Sequence, residues 1–183
     1  MSYLGITLPW LLPGVVLALV ASLVATPAFA AWLGVRRGVA WVALFGLGSI
    51  LASTLSPQDP AFGIPPEAAR TCDLSRLSIA SFAEIRRGSD ATLNILLFVP
   101  LGWALGSAPW SVRQAIAGAG ALALPFAVEA VQLLVPIIRR GCESADVVDN
   151  LTGLVVGAFT GVLVAALVPA IRARRPTGAG PAP

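Results

Sequence analysis

Two short patterns in the second half of the chain place an acidic residue and an amide residue at the start of an apolar run. Asn94 follows Asp90 by four residues, and Asn150 follows Asp146 by the same spacing. Side chains four residues apart share one face of a helix, and a carboxylate in the first turn faces free backbone N–H groups and the positive end of the helix dipole. The patterns therefore predict two equivalent polar helix starts, which are either simple caps or parts of a binding site.

A third pattern lies between these two. Glu129 and Gln132 are three residues apart, hence on one helix face, and Pro136 and the pair Arg139 and Arg140 follow. A carboxyl group inside an apolar span is costly unless it is protonated, paired or hydrated, so Glu129 is a functional candidate. If the helix stays regular past Pro136, Arg140 emerges about three turns after Glu129 on the same face.

Together these groups predict one pocket with carboxylates, amides and a guanidinium at a similar depth. The alternative is that they are interhelical hydrogen bonds that hold a bundle together, with Gly153, Gly157 and Gly161 as a small-residue series for close packing. The predicted pocket residues are Asp90, Asn94, Glu129, Gln132, Arg139, Arg140, Asp146 and Asn150.

The residue types restrict the chemistry that this pocket could perform. The chain has no histidine and no lysine, which excludes a histidine base or ligand and a lysine Schiff base. Carboxylates alone, which here include Asp149, are a weak signal for metal binding, so we predict no metal and no cofactor and assign no catalytic residue.

The elements that position these residues are predicted to cross a membrane. Hydrophobic residues make up 57% of the 183 residues and charged residues 11%, where a water-soluble domain carries roughly a quarter charged residues. The mean hydropathy is +0.85. A spanning helix needs roughly 20 apolar residues. The sequence therefore predicts an all-α membrane protein, a bundle of about five transmembrane helices at residues 8–33, 38–55, 91–108, 114–138 and 148–171.

Residues 56–90 form the one long loop of this prediction and hold five of the nine acidic residues. Their second half, residues 66–87, has apolar residues at near-helical spacing. It is interpreted either as a short helix on the membrane surface or as an irregular loop over the bundle. Residues 1–175 are predicted to be a single domain, and residues 176–183 a disordered tail.

The arginines indicate the orientation. With five spans, six arginines lie on each side, but four of the second six belong to the acidic loop. The other side, which carries Arg36, Arg37 and Arg113 and the arginines after the last span, has no acidic neighbours. That side is predicted to be cytoplasmic, which puts the N-terminus outside and the C-terminus inside. The positive charge balance is therefore interpreted as a consequence of membrane topology, and no nucleic acid partner is predicted.

The two cysteines offer an independent criterion for the orientation. Cys72 and Cys142 both lie in loops on the predicted outer side, and a disulfide between them would persist only in an oxidising compartment. The alternative is two unpaired thiols. Residues 28–30 (Ala-Phe-Ala) resemble a signal-peptidase site, but no positive charge precedes the first apolar run, which is long enough to span, so an uncleaved helix is expected.

In these motifs the chain resembles the VanZ-like family of bacterial membrane proteins. The matching stretches are Asn94 to Gly102 with Pro100, then Glu129 and Gln132 with Pro136 and the arginine pair, then Asp146 with Asn150, Gly153 and Gly157. They run over about 70 residues, from 90 to 161, in the family's order. Which of Arg139 and Arg140 takes the family's arginine position stays open, and the first two helices match only in being hydrophobic.

The resemblance implies a multi-pass protein of the bacterial cell membrane with a possible link to resistance against glycopeptide antibiotics of the teicoplanin type. One hypothesis is a cell-envelope protein whose outer-leaflet pocket binds a lipid headgroup or a cell-wall precursor, with membrane lipid, a lipid-linked precursor or a glycopeptide as partner. A second is an intramembrane enzyme with Glu129 or Asp146 as acid or base. A small transporter is a third, against which the sequence shows no duplicated half.

Overall fold

The computed structural model describes residues 8–65 and 67–173 and is 74% helical, which confirms the all-α fold class. The predicted tail, residues 176–183, lies outside the described residues. The helices are α1 (Leu11–Leu33), α2 (Arg37–Leu55), α3 (Phe82–Arg86), α4 (Asp90–Gly106), α5 (Val112–Leu134) and α6 (Ser144–Ala173). Two 3-10 turns (Ala68–Arg70 and Pro136–Ile138) and two short strands, β1 (Cys72–Asp73) and β2 (Cys142–Glu143), complete the described part.

Four helices are long and apolar enough to cross a membrane: α1, α2, α5 and residues Ser144–Val168 of α6. These four match four of the five predicted spans. The remaining predicted span corresponds to α4, which has 17 residues and is about 25 Å long at 1.5 Å per residue. That length is at the lower limit for a membrane-spanning helix.

Helix α4 nevertheless lies at the centre of the bundle. It contributes four of the eight residues in the buried core cluster, Phe98, Leu101, Ala104 and Leu105. The other four come from α2, α5 and α6. The core is thus built around α4, which positions its N-terminal Asp90 and Asn94 relative to the other helices.

Helices α4 and α6 run parallel in very close contact. The small series on α6 makes this possible, because a Cβ at Gly153, Gly157 or Gly161 would collide with the backbone of α4. The glycines meet Ile95, Val99 and Trp103 in the same order along both chains, which shows the parallel direction. The packing interpretation of these glycines is therefore confirmed, and the two Asp-x3-Asn patterns start at the same end of the bundle.

The predicted fourth and fifth spans differ from the observed helices at their shared connection. Helix α5 ends at Leu134 rather than at residue 138, because Pro136 holds Val135 in a non-helical conformation (φ −120°, ψ 69°). Arg139 then takes the left-handed conformation at φ 55°. The helix is not regular past Pro136, so the expectation that Arg140 continues the Glu129 face of one helix is wrong. Helix α6 begins at Ser144, four residues earlier than predicted.

Between α2 and α4, the described residues 56–65 and 67–89 form short elements only. The regular piece of the predicted surface helix is α3, five residues long, whose Ser81 and Glu84 form a reciprocal capping box. The irregular alternative is therefore the one that the structure favours. Backbone hydrogen bonds tie this loop to the α5–α6 connection, since the N–H groups of Gln58 and Ile64 donate to the carbonyls of Ile138 and Arg139 at 3.0 Å and 3.1 Å.

Candidate functional site

Most of the chemistry-bearing side chains lie at one end of the bundle, where α2 and α5 finish and α4 and α6 begin. We call this the polar end. It is defined by the hydrogen bonds that Gln132 and Glu129 of α5 make with the end of α2 and with the residue before α6. Backbone hydrogen bonds join the loop of residues 56–89 to it.

Glu129 is buried, with 5% of its surface exposed. Its Oε2 accepts a hydrogen bond of 2.8 Å from the backbone N–H of Glu143, the residue directly before α6. The first N–H groups at a helix start have no partner within the helix, so the side chain of Glu129 satisfies a backbone donor at this position. The early end of α5 and the tight return of the chain bring this N–H to Glu129.

Gln132 lies one turn further along the same helix and is 3% exposed. Its Nε2 donates to the carbonyl oxygen of Thr54 near the end of α2, at 3.1 Å. Because a carbonyl can only accept, this bond fixes the orientation of the amide and leaves Oε1 as the free acceptor. Among residues 8–65 and 67–173, that buried oxygen has no hydrogen-bond partner.

Arg140 binds the end of α2. Its Nη2 donates to the carbonyl of Ser53 at 2.6 Å and its Nε to the carbonyl of Ser56 at 3.3 Å. These are terminal carbonyls that the helix itself leaves free, and a cation is favourable there.

The guanidinium of Arg140 also interacts electrostatically with three acidic side chains, Asp90, Glu129 and Asp146, which we call the acidic cluster. Burial lowers the pKa of Arg140, while the nearby carboxylates of Asp146, Glu129 and Asp90 act in the opposite direction. Arg140 is thus the arginine of the pair on which these carboxylates act. Arg139 contributes through its backbone, which accepts the bond from Ile64.

The two Asp-x3-Asn patterns differ in burial. Asp90 is the first residue of α4, with Ser89 as N-cap, and it is exposed, while Asn94 is half-buried. Asp146 is half-buried in the first turn of α6, and Asn150 is 1% exposed. The Oδ1 of Asn150 is a second buried acceptor without a partner.

Sequence reasoning missed an ion pair in this region. Asp149 is completely buried, and Arg76 of the loop binds it with both terminal nitrogens, at 2.5 Å to Oδ2 and 3.3 Å to Oδ1. This hydrogen bonding to Asp149 raises the pKa of Arg76. An aspartate in an apolar helix needs a cation from elsewhere in the chain, and that requirement was the available signal.

The loop is anchored over the start of α6 by several contacts. Cys72 and Cys142 form a disulfide with a Cα–Cα distance of 4.5 Å, which confirms the predicted pair over two free thiols. The same residues pair as parallel strands β1 and β2. The hydroxyl of Ser144 donates to the carbonyl of Arg76 at 2.8 Å. The polar end is therefore covered by a segment that is covalently joined to it.

Two cavities lie at the opposite end of the bundle. One, of about 360 Å³, is lined by residues that include Trp32, Ser111 and Arg113, and another, of about 320 Å³, by residues that include Pro27 and Arg37. Neither is lined by a predicted pocket residue.

Among residues 8–65 and 67–173, no three histidine, cysteine, aspartate or glutamate side chains are grouped closely enough to hold a metal ion. A scan against protein-family models, a search of curated proteins and a search of solved structures each found no match.

Proposed function

We propose that this chain is a VanZ-like protein of the bacterial cell membrane that crosses the bilayer five times. The motifs between residues 90 and 161 support the family assignment. The central place of α4, parallel to α6 and in backbone contact with it, supports a fifth crossing, because α4 shares its neighbours' direction and core. A local thinning of the bilayer accommodates a helix of 17 residues.

The polar end faces the outside of the cell in this proposal, with the N-terminus outside and the C-terminus in the cytoplasm. The disulfide between Cys72 and Cys142 supports this, since such bonds persist in oxidising compartments. A membrane-impermeant thiol reagent on intact cells tests it: labelling after an impermeant reductant, and none before it, is expected. Labelling that requires broken cells contradicts the orientation.

The proposed activity is the binding of a lipid headgroup or a lipid-linked cell-wall precursor at the polar end. One observation carries it: the buried amides of Gln132 and Asn150 each present an acceptor oxygen without a partner, one turn from a cluster carboxylate. An unpaired buried acceptor costs about 1–3 kcal/mol, and a ligand with donor groups would remove that cost.

The competing interpretation is that these groups only hold the helices together. Gln114 offers a matched control, because it lies on α5 like Gln132, donates to the carbonyl of Leu105 in a neighbouring helix, and also has a buried Oε1 without a partner. It lies at the opposite end of α5, away from the acidic cluster. Gln132→Leu and Gln114→Leu therefore remove the same kind of packing contact.

The experiment replaces Glu129, Arg140, Asp146 and Asn150 singly, together with the two glutamine variants, and measures accumulation in the membrane and sensitivity to envelope-active compounds. The proposal expects polar-end variants that accumulate as Gln114→Leu does but lose the phenotype. If every polar-end variant merely fails to accumulate while Gln114→Leu accumulates, the cluster is structural and the proposal fails.

A link to glycopeptide resistance is part of this proposal and is supported by the family resemblance. Expression of the chain in a teicoplanin-susceptible bacterium is expected to raise the inhibitory concentration of teicoplanin, and Gln132→Leu is expected to reduce that gain. An unchanged inhibitory concentration with the protein present in the membrane contradicts the link and leaves the binding proposal to the experiment above.

A second candidate is an intramembrane acid–base enzyme. It is favoured by the position of two carboxylates, Glu129 and Asp146, on facing helices beside one guanidinium, Arg140. Glu129→Gln separates the two candidates, because a glutamine keeps the shape and one acceptor but cannot transfer the proton. A binding site is expected to retain most of its function in this variant, whereas an acid–base enzyme loses it.

A further inference from the structure

The contacts at the polar end also indicate which chemical group it would bind. We propose that this site recognises a protonated primary amine, and this inference rests on the proposed binding function.

The arginine among the carboxylates is already engaged. Nε and Nη2 of Arg140 donate to the carbonyls of Ser56 and Ser53, so two of its three nitrogens serve the end of α2. A bidentate grip on phosphate needs two neighbouring donors of the guanidinium. The Nε/Nη2 side of the guanidinium is therefore occupied, and an anion could meet only the remaining N–H groups of Nη1 and Nη2.

The free groups at the site are acceptors. Gln132 Oε1 and Asn150 Oδ1 are both more than nine-tenths buried and have no partner. Gln132 lies one turn from Glu129 on α5, and Asn150 one turn from Asp146 on α6, so each amide shares a helix face with a cluster carboxylate. An ammonium group has three donors and no acceptor, which is the complement of this set.

The formal charges agree with the free acceptors. Three acidic side chains, Asp90, Glu129 and Asp146, act electrostatically on the single guanidinium of Arg140. The neighbouring Asp149 is already neutralised by Arg76. Acidic side chains outnumber the guanidinium by three to one here, so a bound cation meets more favourable partners than a bound anion does.

Two sources could supply the amine, namely a lipid with a phosphoethanolamine headgroup or a cell-wall stem peptide with a free amino group. The test uses the purified full-length protein and native mass spectrometry with two matched pairs of probes. Phosphatidylethanolamine is compared with phosphatidylcholine, which keeps the charge and loses the N–H donors. An amine-bearing stem peptide is compared with its N-acetylated form.

Retention of the free amine at least about tenfold above its blocked partner, in either pair, is the expected result, and the pair that responds identifies the source. Tenfold corresponds to about 1.4 kcal/mol. Equal retention within each pair overturns the amine inference but leaves the binding proposal standing. Failure to retain any of the four probes contradicts both.

Variants check that the preference arises at this site. Asp146→Asn and Gln132→Leu are expected to bring the preference to within about threefold of unity. Gln114→Leu is expected to leave it unchanged. Because Asp146 is only half-buried, Asp146→Asn should fold even if Gln132→Leu does not. An undiminished preference in Asp146→Asn would overturn the assignment of the amine to this cluster.

Discussion

Replacing Arg76 by glutamine removes the guanidinium that pairs with Asp149 and leaves a completely buried carboxylate without its counter-charge. The pair joins the loop over the polar end to the second turn of α6, so its loss should affect the stability of this end directly. Removing one partner of a buried ion pair typically costs 3–5 kcal/mol. Because Arg76 is 27% exposed, water can partly solvate the remaining charge, and we expect the lower limit, about 3 kcal/mol.

The double variant provides the internal control for this prediction. Asp149→Asn removes the charge that needs a partner, so the double variant Arg76→Gln/Asp149→Asn is expected to be more stable than Arg76→Gln alone. Arg70→Gln, at an exposed arginine of the same loop, controls for the loss of a loop charge and should cost less than about 0.5 kcal/mol.

The stabilisation from this pair should not depend on pH near neutrality. Asp149 raises the pKa of Arg76, so the pair stabilises the fold fully below the pKa of Arg76 in the unfolded chain and loses this effect only far above neutral pH. The cost should therefore be the same at about pH 6 and about pH 9.

The assay is denaturant unfolding of the purified protein in mild detergent, followed by tryptophan fluorescence. From the highest to the lowest unfolding free energy, the expected order is wild type, Arg70→Gln, the double variant and then Arg76→Gln. If Arg76→Gln unfolds at the same denaturant concentration as Arg70→Gln, Asp149 does not depend on Arg76 and the reasoning about the anchored loop is refuted.

Three further predictions concern packing, the disulfide and the arginine pair. Gly157→Ala should destabilise the protein by about 1–3 kcal/mol because a Cβ there collides with α4, whereas Gly118→Ala, with open space around it, should be neutral; unfolding of both variants checks this. Cys72→Ser should lower the free energy of unfolding by about 2–4 kcal/mol, because the disulfide joins residues separated by 70 positions. A reductant should lower the stability of the wild type to that of the variant and leave the variant unchanged. Arg140→Gln should cost about 2–3 kcal/mol more than Arg139→Gln, since only the former loses charged bonds to α2, and equal losses in an unfolding comparison would contradict the cap.

Much of the architecture follows from composition and periodicity. Apolar runs of about 20 residues specify helices in a membrane irrespective of their neighbours, so the predicted spans agree with four candidate spans and with the shorter α4. The small series beginning at Gly153 indicated close packing on the strength of side-chain size alone. The disulfide was predictable because Cys72 and Cys142 lie in loops on the same side of the predicted topology.

The conformation of the connection between α5 and α6 could not be predicted from local sequence patterns. The apolar run continues past Pro136, so hydropathy alone predicts a helix that extends to residue 138. Pro136 lacks an N–H and restricts Val135, and the helix therefore ends at Leu134. The position of Arg140 against the carbonyls of α2 depends on this break. A contact between residues 84 positions apart leaves no periodic signal in the sequence.

The pair of Arg76 and Asp149 was unpredictable for a related reason. The loop has four arginines, and their spacing does not indicate which one reaches the buried aspartate. The burial of Glu129 and Gln132 was predictable from their place in an apolar run, whereas their partners, the N–H of Glu143 and the carbonyl of Thr54, are set by tertiary packing.

The central claim is that the polar end binds a ligand and does not only hold the helices together. The most direct test extracts wild type, Gln132→Leu and Gln114→Leu from the same membranes and identifies the co-purified small molecules by native mass spectrometry. A lipid or precursor that remains on the wild type and on Gln114→Leu, and is lost from a folded Gln132→Leu, is the predicted result. Equal retention by all three proteins, or a wild type that carries no bound molecule, would contradict the claim.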